Sequence, residues 1–131
     1  MQGQAVIVIS GELYSSKNSR QILRRDNGKP FIAKSVSAKR QEKDMLWQFK
    51  DNVIRAAWKR MISGKALPLR LHFLIYRRTN QRFDYINIVQ NLLDILVSAH
   101  YLEDDNANIV IPVFEPYCID RSRPRVELWV E

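Results

Sequence analysis

Two stretches of this chain repeat apolar residues with helical period, and short β-branched or alternating stretches stand on either side of them. Ala5 to Ser10 (AVIVIS) is compact and β-branched and is closed by Gly11, which predicts a first strand. From Tyr14 to Pro30 the pattern is lost. Lys17, Arg20, Arg24, Arg25 and Lys29 lie among Ser and Asn, with Asp26-Asn27-Gly28 as a turn signal, so a basic surface loop is expected. Such a loop suits phosphate contact as well as it suits plain solvation. Pro30 to Ala33 is long enough for a short strand.

Ser35 or Ser37 is placed to cap a long helix that runs to about Ile62 and ends before Ser63-Gly64. Leu46, Phe49, Val53 and Ala57 recur at helical spacing, with Ile54 and Met61 beside them, and predict its inward face. Lys39, Arg40, Lys43, Lys50 and Lys59 fall on the other side. Pro68 to Tyr76 alternates Leu69, Leu71, Phe73 and Ile75 with Arg70, His72, Leu74 and Tyr76, the mark of a central strand. His72 lacks a metal-ligand partner at a characteristic spacing and reads as structural.

The second helical stretch runs from Tyr85 to about Ser98, with Asp84 as its N-cap. Asp84, Asn87, Gln90, Asn91, Asp94 and Ser98 form one polar stripe, and Ile88, Val89, Leu92, Ile95 and Leu96 occupy the rest. Ala107 to Phe114 and Arg125 to Val130 read as two more strands, with Pro112 putting the former at an edge or a bulge. The polar, basic segment Glu115 to Pro124 connects them. No repeat, low-complexity tract or linker divides the chain, so one α/β (α+β) domain is expected over residues 1–131, with a small sheet of about four strands and two main helices.

Composition narrows the partners. With 21 Lys and Arg against 14 Asp and Glu, the formal charge is +7, which favours a polyanionic partner, nucleic acid first. A basic surface that only confers solubility is the alternative. No apolar run approaches a membrane span. The N-terminal residues lack the features of a secretory signal, and the lone Cys118 has no partner for an internal disulfide, so an intracellular (cytoplasmic) protein without a membrane role is expected. Cys118 itself reads as a small hydrophobe near a strand end.

Carboxylates inside a basic chain need a reason, since Asp repels the polyanion that Lys and Arg attract. A bridging hard cation such as Mg²⁺ supplies one, because it takes carboxylate oxygens and keeps sites for water and phosphate. Asp84 and Asp94 are ~15 Å apart along a helix and cannot share one ion. Asp104 and Asp105 lie beyond the helix, where the chain must turn back toward the sheet, so one of them can return to Asp84.

The order of these residues resembles the RusA-type Holliday-junction resolvases. That family has Asp-x-Asp-Asn, a Lys three residues after the Asn, then Asp-Ala-Leu and a later Asp-Asp. Here Asp84-Tyr85-Ile86-Asn87, Asp94-Ile95-Leu96 and Tyr101-Leu102-Glu103-Asp104-Asp105 stand in that order, over about 22 residues. Ser16-Lys17-Asn18-Ser19-Arg20 is similar to the family's Asn-rich basic loop, without the prolines often found there. The resemblance implies a small α/β homodimer with a mixed sheet that binds Mg²⁺ or Mn²⁺ and nicks four-way DNA junctions. Asp84 and Asp105 would be its metal ligands and, with Asp104, its catalytic carboxylates; Asn87, Gln90 and Asp94 would be supporting motif residues. Lys17, Asn18, Arg20, Arg77, Arg78 and Arg82 would contact DNA. Trp47, Trp58 and Trp129 are candidates for the dimer interface, although core packing is the commoner fate of tryptophan.

The chain departs from the family twice. Ile86 stands where the family has its second metal-binding Asp, and Gln90 where it has the Lys. Three readings follow: a metal-dependent endonuclease for branched DNA, a junction or branched-DNA binder without catalysis, and a protein-interaction domain in which Asp84 is only a helix cap.

Overall fold

The computed structural model describes residues 5–13, 20–24, 26–34 and 36–131. Strand β1 (Ile7–Ser10) is followed by a hairpin of β2 (Arg20–Arg24) and β3 (Pro30–Lys34), then helices α1 (Val36–Phe49) and α2 (Asn52–Ile62). Strand β4 (Leu69–Arg77), helix α3 (Tyr85–Ser98) and strands β5 (Val110–Phe114), β6 (Cys118–Ile119) and β7 (Arg125–Val130) complete the chain.

The main sheet is mixed and runs β1-β7-β4-β5, with β6 continuing along the β5 side of β4. β7 pairs antiparallel with both β1 and β4, whereas β5 and β6 lie parallel to β4. A parallel neighbour needs a crossover, and α3 is that crossover: it carries the chain from the end of β4 back to the start of β5. Leu69, Leu71, Phe73 and Ile75 of β4 point into the core with Ile7 and Ile9 of β1 and Val126, Leu128 and Val130 of β7. Met45, Phe49, Trp58, Met61 and the inner face of α3 meet them there.

Helix α3 is rich in β-branched residues, which cost a few tenths of a kcal/mol each in helix propensity. Burying a Leu, Ile or Val contributes roughly 1.5–3 kcal/mol. Ile88, Val89, Leu92, Leu93, Ile95 and Leu96 are all buried, so tertiary packing outweighs propensity many times over. Asn91, expected on the polar stripe, is also buried, at 6% exposure.

The central strand, the second helix stretch and the closing strand fall where the sequence places them, and Pro112 does sit on an edge strand. Three differences have physical reasons. The expected basic loop contains β2, paired with β3 from Arg20↔Lys34 to Arg24↔Pro30 around the anticipated Asn27-Gly28 turn. Gly28 adopts φ 82°, a left-handed conformation suited to glycine, and Asn27 Oδ1 accepts the Lys29 N–H at 3.0 Å.

The long helix is two helices. Asp51 adopts an extended conformation, and its carboxylate accepts the N–H groups of Val53 (2.8 Å) and Ile54 (3.2 Å), which makes it the N-cap of α2. The restart changes the helical phase, so Val53, expected inward, is exposed. Ser37 lies inside α1 rather than at its cap, and Ser35 lies outside the described residues. Of the three tryptophans, Trp58 is buried and donates its indole N–H to the Tyr101 carbonyl at 3.1 Å, and Trp129 stacks on His72 with ring centres 5.1 Å apart. Among the described residues no helix is long and apolar enough to cross a membrane.

Candidate functional site

The start of α3 is held from both sides. Tyr85 donates its hydroxyl to the Glu115 carbonyl (3.0 Å) and accepts the Tyr117 N–H (2.9 Å), which ties the first helical turn to the segment after β5. Phe83, Tyr85, Phe114 and Tyr117 pack as an aromatic cluster with ring centres 5.0–5.4 Å apart. The Arg77 guanidinium lies over Phe83 at 4.3 Å.

Asp84 occupies the N-cap position, but its carboxylate makes no capping bond. It accepts Asn87 Nδ2 at 3.3 Å instead, which leaves a negative group at the positive end of the helix dipole. Around it is an open hollow of about 550 Å³ lined by Phe83, Asp84, Tyr85, Ile86, Asn87 and Phe114. Ile86 is 72% exposed there, an apolar side chain in water with no packing role.

Further along the same face, Gln90 joins residues distant in sequence. Its Nε2 donates to Asp94 Oδ1 at 3.2 Å and to Asp105 Oδ2 at 3.3 Å. The segment after α3 therefore does fold back onto the helix, as the acidic-site reading requires. It meets the helix at Gln90, roughly 9 Å along the axis from Asp84. Asp94, set aside from sequence because of its distance from Asp84, is thus grouped with Asp105. Among the described residues no three His, Cys, Asp or Glu side chains are gathered so as to hold a metal ion. The carboxylates available to a hard cation come as the Asp94 and Asp105 pair, with Asp84 further up the stripe.

The return of Asp105 depends on its loop. His100 follows α3 with φ 63°, and the N–H groups of Tyr101 and Leu102 close on the Leu96 carbonyl, ending the helix in a left-handed turn. Asp104 then accepts the Asp105 N–H at 2.7 Å and Asn106 Nδ2 at 3.2 Å. Those bonds, the backbone one foremost, hold its carboxyl below the usual range. Of the adjacent pair, Asp104 shapes the turn and Asp105 faces the helix.

The expected DNA contacts separate in the same way. Arg78 and Arg82 are exposed beside the N-terminus of α3. Arg77 is turned inward, its side chain only 11% exposed, pairing with Glu12 at 3.3 Å and donating to the Gln81 carbonyl. Glu12 also accepts the Arg78 N–H at 3.0 Å. Arg77 and Glu12 set the shape of the turn, and Glu12 gave no signal in sequence because nothing marks it as a partner of residues 65 positions away. Lys17 and Asn18 lie outside the described residues, and Arg20 opens β2.

His72, read as structural, is bracketed by Glu115 at 2.6 Å and Glu131 at 3.2 Å. Cys118 is exposed in β6 rather than packed. No protein-family model and no curated protein matches the chain.

Proposed function

We propose that the chain is a metal-dependent endonuclease for branched DNA, of the kind the RusA-type resemblance implies. One observation carries this reading: Gln90 gathers Asp94 and Asp105 on the polar face of the helix that Asp84 begins, and the exposed Arg78 and Arg82 lie in the segment that leads into that helix. The donors are all carboxylate oxygens, the kind that Mg²⁺ and Mn²⁺ accept, and Mg²⁺ retains several waters when only one or two carboxylates bind it. Asp94 and Asp105 would hold the ion, with Asp84 further up the same stripe. The metal would polarise the scissile phosphate and lower the pKa of a bound water. Gln90 keeps the two carboxylates at a fixed separation, and Arg78 and Arg82 attract the phosphate backbone to that edge. A homodimer, as the resemblance implies, would present two such sites about a twofold axis. An intracellular setting belongs to the same proposal.

The test is incubation of the purified protein with a synthetic four-way junction and Mg²⁺ or Mn²⁺. Nicking that disappears in Asp94→Asn and in Asp105→Asn supports the reading. A junction that is bound but left intact with both ions overturns it.

A second reading, a branched-DNA binder without catalysis, is favoured by Ile86. An exposed isoleucine beside Asp84 supplies neither a ligand nor charge where a hard cation needs both. Gln90, neutral and hydrogen-bonded to two carboxylates, likewise offers no positive charge to an oxyanion.

A further inference from the structure

Arg40, Lys43, Trp47 and Lys50 follow one another at intervals of three, four and three residues, the spacing that aligns side chains on one helix face. All four are exposed on α1 and the residue just after it, and Trp47 is 74% exposed. The indole opens onto a hollow of about 530 Å³ lined by Arg40, Lys43, Asp44, Leu46, Trp47 and Lys50. A second hollow, of about 410 Å³, lies against Trp47 on the side of Gln48, Asp51 and Ile54.

Neither nearby carboxylate is paired with these cations. Asp44 accepts Gln48 Nε2 at 3.0 Å, and Asp51 caps α2. Arg40, Lys43 and Lys50 form no ion pair among the described residues. A helix face that served only solubility would have no use for a tryptophan, the side chain with the most apolar area to lose to water. A second copy docked here about a twofold axis would set this row of cations against itself. A partner with negative charges at intervals and flat apolar groups between them satisfies both features, and a nucleic-acid strand with unstacked bases is such a partner. The row is about 15 Å long, over which one strand at 3.4 Å per nucleotide presents about four phosphates.

We propose that this face of α1 binds single-stranded or locally unpaired nucleic acid, with Trp47 stacked on a base and Arg40, Lys43 and Lys50 on flanking phosphates. The site needs no metal and no cleavage, and shares with the acidic face of α3 only the class of partner.

The experiment measures binding of the full chain to a labelled oligothymidylate and to a duplex of equal length, by fluorescence anisotropy across a salt series. Trp47→Ala is expected to weaken single-strand binding about tenfold and to leave duplex binding nearly unchanged. Trp47→Phe keeps most of the affinity, and the quenching of tryptophan fluorescence on binding is lost with the indole. Arg40→Gln, Lys43→Gln and Lys50→Gln together lower the salt slope by about two. Single-strand binding by Trp47→Ala equal to wild type overturns the proposal, as does equal weakening on duplex and single strand. Displacement of the strand by polyglutamate at matched charge reassigns the face to acidic peptides. A loss of self-association in Trp47→Ala with DNA binding intact reassigns it to a second copy. Asp94→Asn and Asp105→Asn retain this binding even where they end cleavage, so the two proposals fail separately.

Discussion

Gln90 and Asp105, fifteen residues apart in the chain, are hydrogen-bonded across the gap between α3 and the turn that follows it, with Nε2 3.3 Å from Oδ2. The same amide nitrogen reaches Asp94 at 3.2 Å. A primary amide has two N–H donors and can serve both carboxylates at once. It does so without neutralising either, so two negative charges face a neutral group on the edge where DNA would arrive.

A lysine at position 90 can meet the same two carboxylates and adds the missing charge, and an aspartate at position 86 adds a ligand beside Asp84. The double variant Ile86→Asp, Gln90→Lys is expected to cleave a four-way junction at least about 100-fold faster than wild type, the usual scale for one well-placed electrostatic group. Cleavage rates under Mg²⁺ and Mn²⁺ decide it. Cleavage that appears only in the double variant identifies the natural chain as a binder. No gain in rate, with junction affinity intact, removes the acidic face from consideration as a catalytic site.

The parts legible in the sequence were those with a strong period. The extent of α3 was readable because Ile88, Val89, Leu92, Ile95 and Leu96 repeat with helical period opposite a polar stripe, of which only Asn91 turned inward, and β4 was readable because it alternates. The helix break at Asp51 was missed because the apolar spacing from Leu46 to Ala57 continues across it. The signal available was Asp51-Asn52, two residues that favour caps over helix interiors. β2 was hidden because its two apolar residues, Ile22 and Leu23, are adjacent and show no alternation, in a stretch dominated by charge. At the site, the return of Asp105 was anticipated but its target was not: sequence cannot tell which helical turn a loop will meet, and it met Gln90 rather than Asp84.

The Asp51 cap carries a stability prediction. Its carboxylate satisfies two of the four N–H groups left open at the start of α2. Asp51→Ala is expected to lower stability by about 1 kcal/mol, read as a lower urea midpoint with an unchanged slope. A midpoint equal to wild type would show that water or the neighbouring backbone serves those groups as well.

His100 should be improvable. With φ 63° it holds a left-handed conformation at the end of α3, a position where a side chain costs about 1 kcal/mol and glycine costs little. His100→Gly is expected to raise the melting temperature by a few degrees. A decrease would mean that the imidazole contributes more than its backbone strain removes.

Acid should weaken the corner before β7. Asp120 accepts from Arg125 Nη1 at 2.9 Å, and the arginine, with Ser122 and the local backbone, holds its carboxyl below the usual aspartate range. A carboxyl so depressed stabilises the fold at pH values above its ordinary pKa and loses that effect as pH falls through the folded value. Asp120→Asn is therefore expected to melt below wild type at neutral pH, with the difference closing as pH falls below the ordinary aspartate range and through the folded value. Melting curves between those limits test it, and a difference independent of pH would rule out the ionic origin.

Tyr101 links the core to the loop that carries Asp105. Its hydroxyl donates to the carbonyl of Phe49 at 2.5 Å, satisfying an acceptor left open at the end of α1, and its own carbonyl accepts the Trp58 indole. Its ring meets Phe49 edge-on at 5.0 Å. Tyr101→Phe keeps the ring but leaves a buried carbonyl without its donor, at a cost of about 1–3 kcal/mol. Burial raises the phenol pKa, with Asp51 adding to the rise and Arg55 opposing it. A folded-state pKa above the unfolded one means that the native protein holds this proton longer. The stability it confers is then complete below about pH 10 and is lost as pH rises through the folded value. Wild type and Tyr101→Phe should thus differ most at neutral pH and converge in strong alkali, and because the same turn aims Asp105 at Gln90, the variant should also weaken any activity that depends on that pair. Chemical denaturation at neutral and alkaline pH, run beside the junction assay, measures both effects, and full stability in the variant would show that the carbonyl of Phe49 finds another donor.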